Sequence, residues 1–299
     1  VLIRETTVDD IPDIDAIRRA AEPWHVATIE TQRVWFDSNT PESKVLRLCA
    51  EVDGRVLGSG WAKLDLHADQ PNAGIMALGV HPTVQRQGIG AALLARFEEH
   101  LRGIGASQLQ VYLVVNDDSV AFAENHGFVL GATNRWIVLD PRVLPPMPEI
   151  PSGVTILTAA EAGPQPWYDV VDVAARDEPG DVAFTGMPYE EWFDSQWVTL
   201  DKELSLIAFV DGKPAAATAL ITNHETGKAM SGGTDNLREF RGRGLVKLIK
   251  AKSLELAAQA GITAAYTGND EVNAPMRAIN AWLGYEFVGE TRSAIKKFA

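Results

Sequence analysis

Two stretches of this 299-residue sequence carry the residue types of an anion-binding turn. The first reads Gln85-Arg86-Gln87-Gly88-Ile89-Gly90-Ala91 and the second Arg241-Gly242-Arg243-Gly244-Leu245-Val246-Lys247. Glycine lets backbone approach a ligand with no Cβ in the way, and a helix opening there presents N–H groups that have no intrahelical partner. Such a place suits a phosphate. The helix end contributes only about 0.3–1 kcal/mol to anion binding, so several N–H groups must act together. The spacing is not the Gly-x-Gly-x-x-Gly of dinucleotide sites, and no Gly-Lys-Ser/Thr follows as in a P-loop.

The surrounding elements give the first turn its setting. The apolar run 75–80 reads as a strand, Pro82 breaks it, and an amphipathic segment follows the glycines to Gly103. Residues 108–115 read as the next strand, closed by Asn116, and 119–125 as a short helix leading into Gly127-Phe128. Asp53-Gly54 and Asp211-Gly212 are hairpin turns. The whole order occurs twice. Gly54 and Gly212 are 158 residues apart, Gly88 and Gly244 156, Gly105 and Gly261 156, Asn116 and Asn273 157, Gly127 and Gly284 157. One register kept across five landmarks points to a tandem duplication. Five prolines between Asp140 and Pro151 exclude helix interior and central strand there. The expected division is therefore a domain over 1–146, a Pro-rich linker over 147–153 and a second domain over 154–299.

Composition narrows the function classes. A net charge of −13, shared almost evenly by the two halves, argues against broad nucleic-acid binding. No apolar run reaches the ~18 residues of a membrane span, and the first residues lack the basic and apolar regions of a secretory signal. The single cysteine, Cys49, excludes an internal disulfide and agrees with a reducing cytoplasm. The six histidines lie scattered, none at zinc-ligand spacing with a cysteine or a second histidine, so no metal site is expected.

The loop pattern Gln/Arg-x-x-Gly-x-Gly/Ala, followed about 42 residues later by a strand-end Asn, a short helix and Gly-Phe/Tyr, resembles the two signatures of the GNAT acetyltransferases, and both halves carry both. The resemblance implies an α/β (α+β) chain of two tandem GNAT folds, each a mixed, mostly antiparallel sheet that splays between its fourth and fifth strands and is flanked by helices. It further implies acetyl-CoA as cofactor, transfer of the acetyl group to a primary amine by direct attack in a ternary complex, and a small-molecule acceptor. Carried over residue by residue, the coenzyme site is Leu78, Gly79, Val80, Gln85, Arg86, Gln87, Gly88, Ile89, Gly90, Ala91 and Asn116. In the second half it is Arg241, Gly242, Arg243, Gly244, Leu245, Val246 and Asn273. Backbone near Leu78 to Val80 is the expected oxyanion donor. Val246 departs from the Gly or Ala usual at its position, where a Cβ is expected to crowd the diphosphate.

The tyrosine that the family places four residues before the second-signature glycine is absent; Ala123 and Asn280 stand there. Tyr112 and Ser119 are the candidate acids instead, each with a plainer reading, strand core for Tyr112 and helix cap for Ser119. For the base, the turns before the fourth strands offer His67 in the first half and His224 with Glu225 in the second. Asp177, Glu178 and Asp181 are candidates to bind a cationic amine, with Trp24 lining the acceptor pocket. The chain is expected to be a monomer or homodimer. The alternative reading is a non-catalytic acyl-CoA-binding or sensing protein, consistent with the two missing tyrosines.

Overall fold

Asp53 and Gly54 have φ of +50° and +78°, and Asp211 and Gly212 +48° and +78°, so both hairpin turns take the doubly left-handed form that fits the twist of flanking strands. The computed structural model describes residues 1–176 and 183–298. In chain order the first half comprises β1 (Leu2–Glu5), α1 (Ile11–Ala21), α2 (Ile29–Asp37), β2 (Leu46–Val52), β3 (Arg55–Leu64), β4 (Ala73–Val80), α3 (Ile89–Gly103), β5 (Gln108–Val114), α4 (Asp117–Asn125) and β6 (Val129–Leu139). The second comprises β7 (Val154–Thr158), α5 (Ala159–Ala162), α6 (Pro164–Ala175), α7 (Tyr189–Ser195), β8 (Leu206–Val210), β9 (Lys213–Asn223), β10 (Lys228–Asn236), α8 (Leu245–Gln259), β11 (Ala264–Asp270), α9 (Ala274–Leu283) and β12 (Glu286–Lys297). No element lies between Leu139 and Val154, the proline-rich stretch.

The chain forms two compact units, and they are not its two contiguous halves. Unit 1 contains residues 1–25, 29–134 and 289–299; unit 2 contains 26–28 and 135–288. In unit 1 the strand order is β1-β2-β3-β4-β5-β12, the last pair antiparallel from Thr291 opposite Val114 to Lys297 opposite Gln108. In unit 2 it is β7-β8-β9-β10-β11-β6. Each unit thus takes its last strand from the other half of the sequence. The packing agrees: Ala294 of β12 and Phe298 lie in the core of unit 1, with Leu93, Leu94, Phe97 and Leu109, while Leu139 at the end of β6 lies in the core of unit 2, with Leu254, Ile262 and Leu283.

In both units the fourth and fifth strands run parallel and pair only at their beginnings. β4 meets β5 from Ala73–Gln108 to Met76–Val111, and β10 meets β11 from Lys228–Ala264 to Met230–Tyr266. Beyond Met76 and Met230 no pair is formed, so each sheet opens toward the strand ends that carry the glycine turns.

Candidate functional site

Hydrogen bonding alternates along a strand, which fixes what faces the opening in unit 1. His81 N–H donates to Leu57 O of β3, and Ala73 O accepts from Asp65 N–H at the β3 side. Odd-numbered residues of β4 therefore spend their backbone groups on β3, and Leu78 and Val80 turn theirs toward the gap. Val80 O accepts from Gln85 Nε2 at 3.0 Å, leaving the Leu78 and Val80 N–H groups as donors there. In unit 2 Arg241 Nε donates to Asn236 O at 3.2 Å. The first residue of each turn motif thus tethers the loop to the carbonyl of the last strand residue, five positions earlier.

The turns themselves share one conformation. Gly88 and Gly244 are the N-caps of α3 and α8 with φ of +84° and +77°, and an added Cβ would meet nothing within 4 Å in either case, so glycine is required by the backbone angle rather than by space. Arg86 and Gly242, two residues earlier, are likewise left-handed at +63° and +77°. Neither helix has a side-chain cap, and the first helical bonds are Ala92 N–H to Gly88 O and Leu248 N–H to Gly244 O. The N–H groups of Ile89, Gly90 and Ala91, and of Leu245, Val246 and Lys247, come before those bonds and end each 15-residue helix without intrahelical acceptors. Ile89 and Leu245 have side chains 3% and 1% exposed, so their part in any ligand contact is the amide alone.

The expected crowding at Gly90 is not what this geometry gives. A Cβ on Gly90 would point inward, 3.4 Å from the Phe122 ring and 3.7 Å from Val80. Val246 accordingly lies buried in the core of unit 2, where Ile279 stands 157 residues after Phe122. The two sites exchange a small-large pair for two branched residues of intermediate size.

Tyr112 sits at the start of the opening, one residue past the last β4–β5 pair. It is 57% exposed, not core, and alternates with the core residues Leu109, Val111 and Leu113, so it projects from the opposite face of the sheet. Its hydroxyl accepts from Gln110 Nε2 at 3.0 Å, and Ser293 of β12 lies directly across from it. At the 156-residue offset between the starts of β5 and β11 unit 2 has Gly268 there, and next to it Asn269 Oδ1 accepts a short bond from Nδ2 of the buried Asn280. Asn280 Oδ1 is buried without a partner.

Other candidates are engaged otherwise. Ser119 Oγ donates to Val114 O and accepts from Asn116 N–H, while Asn116 Oδ1 caps α4 at Ser119 N–H, 2.9 Å away. Asn273 Oδ1 caps α9 in the same way. His67 lies in the turn before β4, its N–H bonded to Asp65 Oδ1. At roughly 3.3 Å per residue the eight residues of β4 separate it from the glycine turn by about 25 Å. His224, held by Asp201 Oδ2 at 3.1 Å, and Glu225 stand at the same wrong end of β10. These three residues lie beside the paired part of the strands, at the end away from the glycine turns. Trp24 is 4% exposed and abuts Gly289 of β12, whose Cβ would fall 2.5 Å from the ring. Asp177, Glu178 and Asp181 fall outside the described residues.

Three features escaped sequence reasoning. Gln110 was missed because a strand glutamine carries no motif. Asp235, a buried carboxylate one residue before Asn236, likewise belongs to no motif. The third is a carboxylate–imidazole cluster in the helical arm of unit 1, where Asp15 accepts from Arg19, from His25 Nε2 at 2.8 Å and from Gln32 Nε2 at 2.7 Å. Burial, seconded by the Arg18 charge, lowers the His25 pKa despite Asp15. Burial alone would raise Asp15, but its bonds to His25, Arg19 and Gln32 outweigh that and hold it below the usual carboxylate range.

Comparison with known proteins fits this geometry. The acetyltransferase (GNAT) family model matches residues 11–128. A mycothiol acetyltransferase of Streptomyces coelicolor is 35% identical over 101 residues, 33% of this chain and 30% of that protein. One of Propionibacterium freudenreichii is 26% identical over 131 residues, 42% of each. The chain thus spans less than half the length of these curated relatives. Among solved structures, a tandem GNAT protein from the clavulanic acid biosynthesis pathway superposes with a TM-score of 0.77 at 21% identity, covering 99% of this chain and 98% of that one. A GCN5-related N-acetyltransferase from Sphaerobacter thermophilus does so with a TM-score of 0.71 at 20% identity, covering 99% and 95%.

Proposed function

Because residues 11–128 are a domain of the GNAT acetyltransferase family and the whole chain has the fold of a tandem GNAT protein, we propose that it moves an acetyl group from acetyl-CoA to a primary amine of a small molecule, by direct attack. The observation that carries this reading is the coincidence, at one end of an opened pair of parallel strands, of an uncapped helix N-terminus and of strand N–H groups that no neighbouring strand uses. The first set suits a diphosphate, the second a carbonyl oxygen gaining charge. On this reading residues 1–146 and 154–299 are the two sequence repeats, and 147–153 joins them. One buried free cysteine, Cys49, suits a cytoplasmic protein, and we read the molecule as a monomer or homodimer.

The residues present fit the coenzyme. The Ile89, Gly90 and Ala91 amides would hold its diphosphate, with Arg86 beside them; Leu245, Val246 and Lys247, with Arg241 and Arg243, would do so in unit 2. Bound acetyl-CoA supplies an activated acyl thioester. The Leu78 N–H orients and polarises the acyl oxygen, a term worth several kcal/mol when such a donor is preorganised, about 3 in comparable sites. Tyr112, at the edge of the opening, is the candidate acid for a departing thiolate. An amine acceptor approaches from the face that carries Tyr112.

For unit 2 the alternative, coenzyme binding without transfer, has its own support. At the 156-residue offset that relates the starts of β5 and β11 the place of Tyr112 is taken by Gly268, which brings no side-chain proton donor to a thiolate. We therefore assign transfer to unit 1 and binding to unit 2. Calorimetric titration with acetyl-CoA should give two sites, one of them lost in Gly88→Glu. Thiol release over a panel of amines should vanish in that variant and persist in Gly244→Glu. Saturable binding with no release for any amine would favour the non-catalytic reading of the whole chain.

A further inference from the structure

Of the three lysines of α8 only Lys250 is buried. Unit 1 has Leu94 at the matching place, 156 residues earlier, so the fold itself does not call for an amine there. The amine lies 4.0 Å from Met276 Sδ and 5.5 Å from the centre of the Tyr285 ring, and neither neutralises a charge. Lys250 is six residues after Gly244, about 9 Å along the axis, and a helical side chain leans back toward the N-terminus. Met276 agrees with that direction, since it packs against the cluster that holds Leu245 and Val246 of the glycine turn. The amine therefore stands behind the turn, within about 10 Å of its amides.

Among the described residues no carboxylate answers it. On α8, Glu255 is five positions on, about 140° round the helix, and Lys247 lies over the Trp282 ring at 3.8 Å. On α9 the charged side chain is Arg277, which donates to Glu271 O. Asp235 of β10 stands opposite Ala217, which belongs to the core under α6 and α7, and Asp270 of β11 alternates with Ala265 of the α8 side, so both project from the other face of the sheet. β8 and β9 carry no carboxylate. Farther out, Asp201 is bonded to Thr222 and His224, Asp140 to Arg142, and Glu203, Glu239 and Glu286 are exposed. Tyr285 is held in its neutral form by burial. Burial alone pulls the Lys250 pKa down to about 7, and the positive ends of α8 and α9 act in the same sense.

The missing counter-charge is one that a ligand brings. A diphosphate on the amides of Leu245, Val246 and Lys247 carries two negative charges, and at ~10 Å with an effective dielectric near 20 each is worth about one pH unit to the amine. We propose that Lys250 is the internal cation of the anion site in unit 2, uncharged while the turn is empty and protonated from solvent when a diphosphate binds, so that unit 2 takes up a proton together with its ligand. This rests on the coenzyme reading of unit 2 above. Unit 1, with Leu94 in that place, binds without the proton. The same coenzyme is therefore held in a pH-dependent way by one unit and not by the other.

The test reads protons and needs no turnover. Gly88→Glu leaves the second site alone in the full chain, and acetyl-CoA is the probe. Calorimetric titration at pH 8, in buffers of differing ionisation enthalpy, should show about half a proton or more taken up per ligand bound, and none when Lys250→Leu is added. Between pH 7 and 9 the affinity of the Gly88→Glu chain should fall roughly tenfold, while that of the double variant stays level. The phosphates of the coenzyme do not titrate in that range, their second pKa being near ~6. Gly244→Glu, which leaves the site of unit 1, should bind with no uptake. Lys250→Leu supplies the residue that unit 1 packs in this place, and urea unfolding of the double variant verifies that it is folded. Saturable binding without uptake in the Gly88→Glu chain overturns the inference, as does uptake that survives Lys250→Leu. No binding in the Gly88→Glu chain, with the Gly244→Glu chain still binding, would instead remove the coenzyme reading of unit 2, and the inference with it.

Discussion

Lys250 on α8 is 3% exposed, with its Nζ 4.0 Å from Met276 Sδ and 5.5 Å from the centre of the Tyr285 ring. The residue 156 positions earlier is Leu94, 1% exposed in the core of unit 1. Burial of the amine pulls its pKa down to about 7. The unfolded chain, with an ordinary lysine near 10.4, therefore binds more protons than the folded one between about pH 7 and 10, and stability rises with pH across that window. Lys250→Leu should abolish the rise and stabilise the protein at neutral pH by about 3 kcal/mol, measured by urea unfolding at several pH values. His25 behaves in the same sense at lower pH. Its folded pKa is depressed, so the stability of keeping it neutral is full above about 6.5 and lost as pH falls below it. Asp15 adds a second loss at more acid pH, since its depressed pKa favours the folded state only while it stays ionised. His25→Gln should flatten the first step and leave the second. Asp15→Asn, which strips Arg19, His25 and Gln32 of their common acceptor, should cost about 3 kcal/mol.

At the scale of the element, the two glycine turns show one backbone serving two packings. In α3 the second helical residue is Gly90 against Phe122; in α8 it is Val246 with Ile279 nearby. Gly90→Val should therefore cost about 1–3 kcal/mol by overpacking. Adding Phe122→Ile should recover most of it, a non-additivity readable in a double-mutant cycle by thermal unfolding. Either variant keeps the left-handed Gly88, so the loss should appear in stability before coenzyme binding. Elements of this kind were legible in the sequence because each is written locally: Asp-Gly for a hairpin, Gly before a periodic run for a helix start, alternation for β5. The register of the repeat followed from the same marks. The place of the base was not legible, for a physical reason. His67 and His224 stand next to the correct strands in sequence, yet a strand has two ends about 25 Å apart, and nothing in the residue types of a turn says which end carries the opening. Gln110 was invisible for the opposite cause, since the partner its amide reaches stands two residues away on an exposed face.

At the scale of the molecule, a strand's sequence says that it will pair but not with what. The pattern of β12 would serve an edge beside β11 or beside β5 equally well, because alternation has the same period in both. The structure places it on β5, through seven residue pairs from Thr291 to Lys297. Ala294 is fully buried there, Lys296 binds Glu98, and Arg102 stacks on Phe298 at 4.1 Å. Unit 1 is therefore incomplete in any chain that stops before residue 289. Without β12 the bonding groups of β5 from Gln108 to Val114 lie open along an edge next to an uncovered apolar core, which is the condition for edge-to-edge association. A chain of residues 1–146 should accordingly aggregate, where a tandem of self-contained domains would yield a soluble folded half. Ala294→Asp in the full chain, which keeps every residue of the first half, should reproduce part of that loss. Size-exclusion chromatography together with amide exchange on β5 separates the outcomes. A monodisperse 1–146 fragment with β5 amides as protected as in the whole chain would show that the exchanged strand is dispensable to unit 1.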